Sequence, residues 1–209
     1  MLKELGPGLR LTVALTILTG LLYPLVMTGL SQAIFPHQAN GSLVRVDGKV
    51  VGSSLIGQSF AKPQYFHPRP SDAGNGYDAT QSGGSNLGPT SAKLINGIST
   101  SIAEFRKENP TFKGPVPSDI VTASASGLDP DISPAAAEDQ AARVATARGV
   151  SVDQVRRLVT QYTKGPSWGF LGGSRVDVLM LNLALDRSFP VSKGQSANAS
   201  AGQPSATER

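Results

Sequence analysis

The segment Tyr65-Phe66-His67-Pro68-Arg69-Pro70-Ser71 holds the densest set of chemically capable side chains in the sequence. His67 and Ser71 are the two types that a general base and a nucleophile require for acyl transfer. Such a pair also needs a group to orient the imidazole, and no carboxylate is evidently placed to do so. Pro68 and Pro70 stiffen the chain between them. A structural loop, or a docking surface for another protein, fits these residues better. Arg69 is its expected anchor, with Tyr65, Phe66, His67, Ser71 and Tyr77 around it.

Two further stretches invite chemistry. Gly83-Gly84-Ser85-Asn86-Leu87-Gly88-Pro89-Thr90 has the glycine spacing of a phosphate loop, but Pro89 stands where that loop needs lysine. Proline also removes a main-chain donor that would face a phosphate. A glycine turn leading into a helix is expected. Gly127-Leu128-Asp129-Pro130-Asp131-Ile132-Ser133 sets two acids in a turn but lacks the further oxygen ligands of a calcium loop. An Asx turn feeding a capped helix is expected there. The Asp-Lys-Thr-Gly-Thr setting of a phosphorylated aspartate does not occur.

Composition removes other classes. The chain has no cysteine, which excludes disulfides, thiolate catalysis and Cys-based zinc sites. Its two histidines, His37 and His67, form no ligand cluster at helical spacing. Nineteen Lys and Arg stand against 15 Asp and Glu, a net charge of +4. That is too balanced for a nucleic-acid footprint, and Arg156-Arg157 reads as a solvated helix face.

The positioning elements begin with a membrane segment. Residues 11–35 carry no charge and are long enough to cross a bilayer core of about 30 Å. Thr16 and Gly20 are four apart, so they share one helix face on which a partner helix can come close. A cleaved signal peptide, ending near Ser31-Gln32-Ala33, is the rival reading, but its apolar region is shorter. Lys3 and Arg10 precede the span, and the next basic residue is Arg45. This bias puts residues 1–10 in the cytoplasm and the bulk of the chain outside.

Beyond the span, Leu43 to Val51 reads as a hairpin turning at Asp47-Gly48. Gly57 to Pro89 reads as a long ordered loop, because Phe60, Tyr65, Phe66 and Tyr77 argue against disorder. Leu94, Ile98, Ile102 and Phe105 mark a helix that stops at Asn109-Pro110. A strand is expected around Ile120-Val121-Thr122. Ser133-Pro134 opens a helix that Gly149 closes, and Ser151 to Gln154 has the capping-box pattern of the next. Gly165 to Gly173 is a loop with the sole tryptophan, Trp168. Arg175 to Val178 alternates as a strand, and Leu179 to Leu185 continues as a helix. The expected fold class is α+β: one N-terminal transmembrane helix followed by a single soluble α+β domain over 36–190, with a disordered tail over 191–209.

Several segments together resemble one family. They are Thr19-Gly20-Leu21-Leu22-Tyr23-Pro24-Leu25, Gly57-Gln58-Ser59-Phe60, Tyr65 to Ser71, Tyr77-Asp78-Ala79 and Ser82 to Pro89. Val116-Pro117-Ser118-Asp119, Gly127 to Pro134, Arg143-Val144-Ala145 and Val178 to Asp186 follow in order. This pattern resembles the KdpC family, the small accessory subunits of the bacterial Kdp potassium-transporting P-type ATPases, over nearly all of residues 10–187. The resemblance implies a non-enzymatic, single-pass subunit of the bacterial inner membrane with its domain outside. It implies two partners, a channel-like potassium-selecting subunit and an ATP-hydrolysing P-type subunit. It implies a role in stabilising that complex and, as a catalytic chaperone, in raising ATP affinity. No cofactor of its own is implied; ATP enters only within the complex. Gln140 matches a family glutamine linked to nucleotide binding. The charge bias puts this domain outside, whereas ATP is inside. The expectation is therefore action through the channel-like subunit, over its outer mouth. A membrane-anchored hydrolase using His67 and Ser71, or a free-standing scaffold, are the rival functions.

Overall fold

A computed structural model of the chain describes residues 2–190; the tail over 191–209 lies outside the described residues. Helix α1 (Leu2–Ile17), a π-helical turn (Leu18–Leu22) and helix α2 (Tyr23–Ile34) follow one another without a break. Within them Leu5–Ile34 is long and apolar enough to cross a bilayer. Its 30 residues would measure about 45 Å as a helix, against a core of about 30 Å. The helix starts well before residue 11, the expected beginning. Pro7 lies in its second turn, where the missing N–H removes one main-chain bond, the one that would reach Lys3 O. Phe35 ends it at φ −130°, because the following Pro36 disfavours helical geometry in the residue before it.

A single helical turn, α3 (Pro36–Ala39), leads to the hairpin of β1 (Leu43–Val46) and β2 (Lys49–Ser53). Asp47 at φ 50° and Gly48 at φ 77° form its turn, as Asp-Gly predicts. The strands pair antiparallel with a bulge between Val44 and Arg45. The chain divides into two compact units between Leu55 and Ile56, so the hairpin belongs to the same unit as the long helix.

The second unit is α+β. Its elements are α4 (Ala92–Glu108), a 3-10 turn (Ser118–Ile120), β3 (Asp131–Ile132), α5 (Pro134–Arg148), α6 (Val152–Tyr162), β4 (Thr163–Lys164), β5 (Arg175–Asp177) and α7 (Val178–Ser188). The strands form a small antiparallel sheet in the order β3-β5-β4. Helices α5, α6 and α7 pack with it around Val144, Val155, Val176, Leu181 and Leu185, all fully buried. Ala136, Ala137 and Ala141 are also fully buried, so the small face of α5 lets α6 come close.

Local signals set the helix ends. Ser133 Oγ accepts from Ala136 N–H at 3.1 Å, and Pro134 occupies the first helical position. Gly149 closes α5 at φ 67°. Ser151 and Gln154 complete a reciprocal capping box at the start of α6. Asn109 ends α4, its N–H bonded to Phe105 O.

The strand expected around Ile120-Val121-Thr122 is instead the 3-10 turn and its exit. Ile120 N–H and Val121 N–H bond back three residues, to Pro117 O at 3.3 Å and Ser118 O at 3.2 Å, rather than to a neighbouring strand. The Asp119 carboxylate, held by that turn, accepts from Ser133 N–H at 2.6 Å. Two elements missed by pattern, β3 and β4, are only two residues long each.

Candidate functional site

Gly57 to Pro89 contains no helix or strand, as its composition suggests, yet it is held residue by residue. Two buried amide side chains do much of this. Asn182 of α7 accepts from Phe66 N–H at 2.8 Å and donates to Phe66 O at 3.0 Å. Gln140 of α5 does the same for the next residue, accepting from His67 N–H at 2.7 Å and donating to His67 O at 3.2 Å. Each carboxamide presents one donor and one acceptor, as a neighbouring strand would.

Two arginines of α5 continue the pattern upstream. Arg143 donates to the carbonyls of Pro63 at 2.7 Å and Tyr65 at 3.0 Å. Arg148 Nε donates to Gln64 O at 2.8 Å. Every carbonyl from Pro63 to His67 thus accepts from a side chain of α5 or α7. The Arg148 side chain is fully buried, pairs with Asp186 at 2.9 Å and lies 5.0 Å from the centre of the Tyr65 ring. Burial pulls the Arg143 guanidinium down to about 10, against the Glu108 charge that holds it up. It remains a cation at neutral pH.

The catalytic reading of this segment does not assemble. His67 does have a carboxylate neighbour, contrary to the sequence-based expectation: Glu108 Oε2 faces its Nδ1 at 3.1 Å. The hydrogen bond with His67 holds the Glu108 carboxyl below its ordinary range, with burial opposing. The other ring nitrogen, Nε2, faces Lys62 O at 3.2 Å and Arg143 at 3.3 Å. Ser71 Oγ donates to Gly127 O at 2.5 Å and accepts from Tyr77 N–H at 2.7 Å. Its proton is directed at a peptide carbonyl, so no base stands ready to take it.

The expected docking residues divide. Phe66 has no exposed surface and belongs to the core. Tyr77 donates its hydroxyl to Arg69 O, and burial pushes that hydroxyl up to about 12. Arg69 pairs with Asp129 at 2.8 Å, and its buried Nε has no partner among the described residues. Asp129 also accepts from Asp131 N–H, the expected Asx turn. Gly127 must be glycine: a Cβ there would stand 2.6 Å from both Ala73 N and Gly83 O. Around His67, Arg69, Tyr77, Glu104 and Glu108 lies an open cleft of about 260 Å³. In the other unit Thr16 and Gly20 are exposed along the long helix.

Gln140, the residue matched to a nucleotide-linked family glutamine, is fully engaged within the chain. It is 1 % exposed, and besides His67 it bonds Arg143 at 2.7 Å and Ala136 O at 3.1 Å. Its oxygen accepts twice and its nitrogen donates twice, which is all that a carboxamide offers. A phosphate or base would have to displace the His67 backbone to reach it.

One exposed feature lay outside the sequence-based site. Ser167 and Leu171 exchange two main-chain hydrogen bonds of 2.9 Å and close a tight tip. On it Trp168 is 84 % exposed at φ 54°, beside Phe170 at 74 %. A single tryptophan between glycines gives no periodic signal, and only its apolar exposure marks it as a contact surface.

Fold and site together define an α+β protein with one helix long and apolar enough to cross a membrane, whose polar residues are directed to holding a loop rather than to turning over a substrate. A family model described as K+-transporting ATPase, c chain (KdpC), matches residues 5–187, and the chain belongs to that family. Among its curated relatives is the potassium-transporting ATPase KdpC subunit of Rhodospirillum rubrum, 54 % identical over 91 % of this chain and 99 % of the relative. The subunit of the same name from Myxococcus xanthus is 56 % identical over 87 % of each chain. That of Caulobacter vibrioides is 56 % identical over 91 % of this chain and 96 % of its own.

Proposed function

We propose that this chain is the non-catalytic accessory subunit of an ATP-driven, high-affinity potassium-uptake complex. The uncharged stretch over residues 11–35 holds it in the bacterial inner membrane, with Lys3 and Arg10 on the cytoplasmic side and the α+β unit outside. Its partners are a channel-like potassium-selecting subunit and an ATP-hydrolysing P-type subunit. It stabilises their assembly and raises the ATP affinity of the hydrolysing subunit as a catalytic chaperone, acting through the channel-like subunit rather than by touching nucleotide. One observation supports this reading above the others: relatives named as that subunit match nearly the whole chain at over half identity. The closed hydrogen-bonding of Gln140 supports the indirect route to ATP affinity.

The test has two arms. Pull-down of the tagged chain in mild detergent should bring both large partners, and their ATPase should show a higher KM for ATP when the chain is removed. In spheroplasts, external protease should cleave the α+β unit. A domain protected there but cleaved in inverted vesicles would reverse the topology. A membrane-anchored hydrolase is the rival, and the direction of the Ser71 hydroxyl speaks against it. Turnover of an ester or peptide by the purified chain, abolished by Ser71→Ala, would replace the accessory role.

A further inference from the structure

Gly165 to Ser174 carries no ionisable side chain. At its tip Trp168 is 84 % exposed, Phe170 74 % and Leu171 47 %. Beyond residue 55, Ile95 is the only other large apolar side chain so exposed among the described residues. Apolar exposure in the second unit is therefore gathered at one point rather than scattered, which marks a contact surface.

The main chain of this tip meets most of its own needs. Ser167 and Leu171 exchange hydrogen bonds of 2.9 Å, Gly169 N–H donates to Pro166 O at 3.1 Å, and Phe170 N–H donates to Ser167 O at 3.3 Å. Pro166 has no N–H to satisfy. A segment that closes its own donors loses little when water is withdrawn, which is the condition for entering an apolar phase. Charge begins only at the base, where Lys164 and Arg175 stand opposite each other and Arg175 pairs with Asp131 at 3.3 Å. An apolar tip on a charged collar matches the layering of a bilayer surface, where acyl chains lie beneath the headgroups. A protein socket fits the tip less well. Its side chains offer only the indole N–H and the Ser167 hydroxyl, whereas a specific protein interface carries about one hydrogen bond per 100–200 Å². The bilayer boundary asks for no such code: an amphipathic ring with one polar edge settles there by preference.

We propose that the Ser167–Leu171 tip is a lipid contact, in which Trp168 and Phe170 enter the headgroup–acyl boundary of the leaflet on their side of the membrane. This rests on the reading of residues 11–35 as a bilayer span, which keeps the chain at a membrane. Two rings attach too weakly to hold a soluble protein on lipid. A chain already anchored meets the surface at a high effective concentration, so a shallow, reversible second attachment is populated.

The test reconstitutes the full chain, alone and co-purified with its partners, into phosphatidylethanolamine–phosphatidylglycerol vesicles. These are doped with a phosphatidylcholine that carries a diazirine close to its glycerol. After irradiation, lipid adducts are mapped along the chain by mass spectrometry. In both preparations adducts should appear within residues 165–173 as well as within 11–35. The double variant Trp168→Ser, Phe170→Ser should lose at least tenfold at the tip and nothing over 11–35, whereas Trp168→Phe should lose less than twofold. A wild-type tip free of lipid beside a labelled span overturns the proposal, and this result needs no variant to fold. So does a tip cross-linked to a partner subunit or a second copy instead of to lipid, or a double variant that keeps its tip adducts. An unlabelled span sinks the reading of residues 11–35 itself, a result distinct from an unlabelled tip.

Discussion

The helical pair α5–α6 and the segment from Pro63 to His67 are fixed by opposite means. The pair is set by neighbours in sequence: Ser133 caps a residue three positions on, and Ser151 and Gln154 cap each other. The segment is set by residues far along the chain. His67 is held from 73 residues away and Phe66 from 116. Local fixing sets where a helix starts and stops, whatever packs against it afterwards. Remote fixing yields an irregular path that exists only once α5 and α7 have docked, so its rigidity is a product of the whole fold.

That contrast is open to attack, most strongly at Asn182. Asn182→Ala leaves the buried N–H and C=O of Phe66 unmatched, at a cost of about 2–4 kcal/mol. Thermal unfolding of the full chain in detergent, followed by circular dichroism, should show it. A loss below about 1 kcal/mol would mean that the segment holds itself. Gln140→Ala should cost about 2 kcal/mol and expose Tyr65 to Arg69 to protease, as quantified by limited proteolysis. A Gln140→Ala chain of full stability whose complex nevertheless shows weakened ATP binding would return this glutamine to the nucleotide. On the locally fixed side, Ser133→Ala should cost only about 1 kcal/mol, the usual value for a cap. Amide exchange should localise that loss to the first turn of α5.

The smallest effect concerns pH. The Glu108 carboxyl is lowered by its bond with His67, so its contribution is present above the ordinary carboxylate range, near about 4.3. It is lost as pH falls through the lower folded value. Glu108 is half exposed, so water screens the pair and the contribution is held to about 0.5 kcal/mol. Glu108→Gln should therefore be slightly less stable than the parent at pH 6 and equal to it well below pH 4. Parallel stability curves across that range would remove Glu108 from the site.

What could be read in the sequence follows the same division. The span, the Asp47-Gly48 hairpin, both caps and the Gly149 stop were legible because each is written within a few residues. Ile120-Val121-Thr122 misled, since three β-branched residues suggest a strand while Pro117 and Ser118 set a turn that buries two neighbours together. Strands β3 and β4 are too short to show alternation. Glu108 beside His67 was invisible because 41 residues separate them, and only the packing of α4 brings them together. The aromatic and proline-rich segment is ordered, as its composition suggested, while the inward turn of Phe66 and the bonding of Gln140 to the His67 backbone depend on helices far along the chain.

The lone indole at the tip of the Ser167–Leu171 turn has a practical consequence. Its 84 % exposure keeps it clear of the core, so its fluorescence is nearly indifferent to whether the domain is folded. The same emission shifts to shorter wavelength when a protein or lipid surface covers the ring. The wild-type chain thus carries an intrinsic optical sensor of encounter, with no competing tryptophan to subtract and no dye to attach.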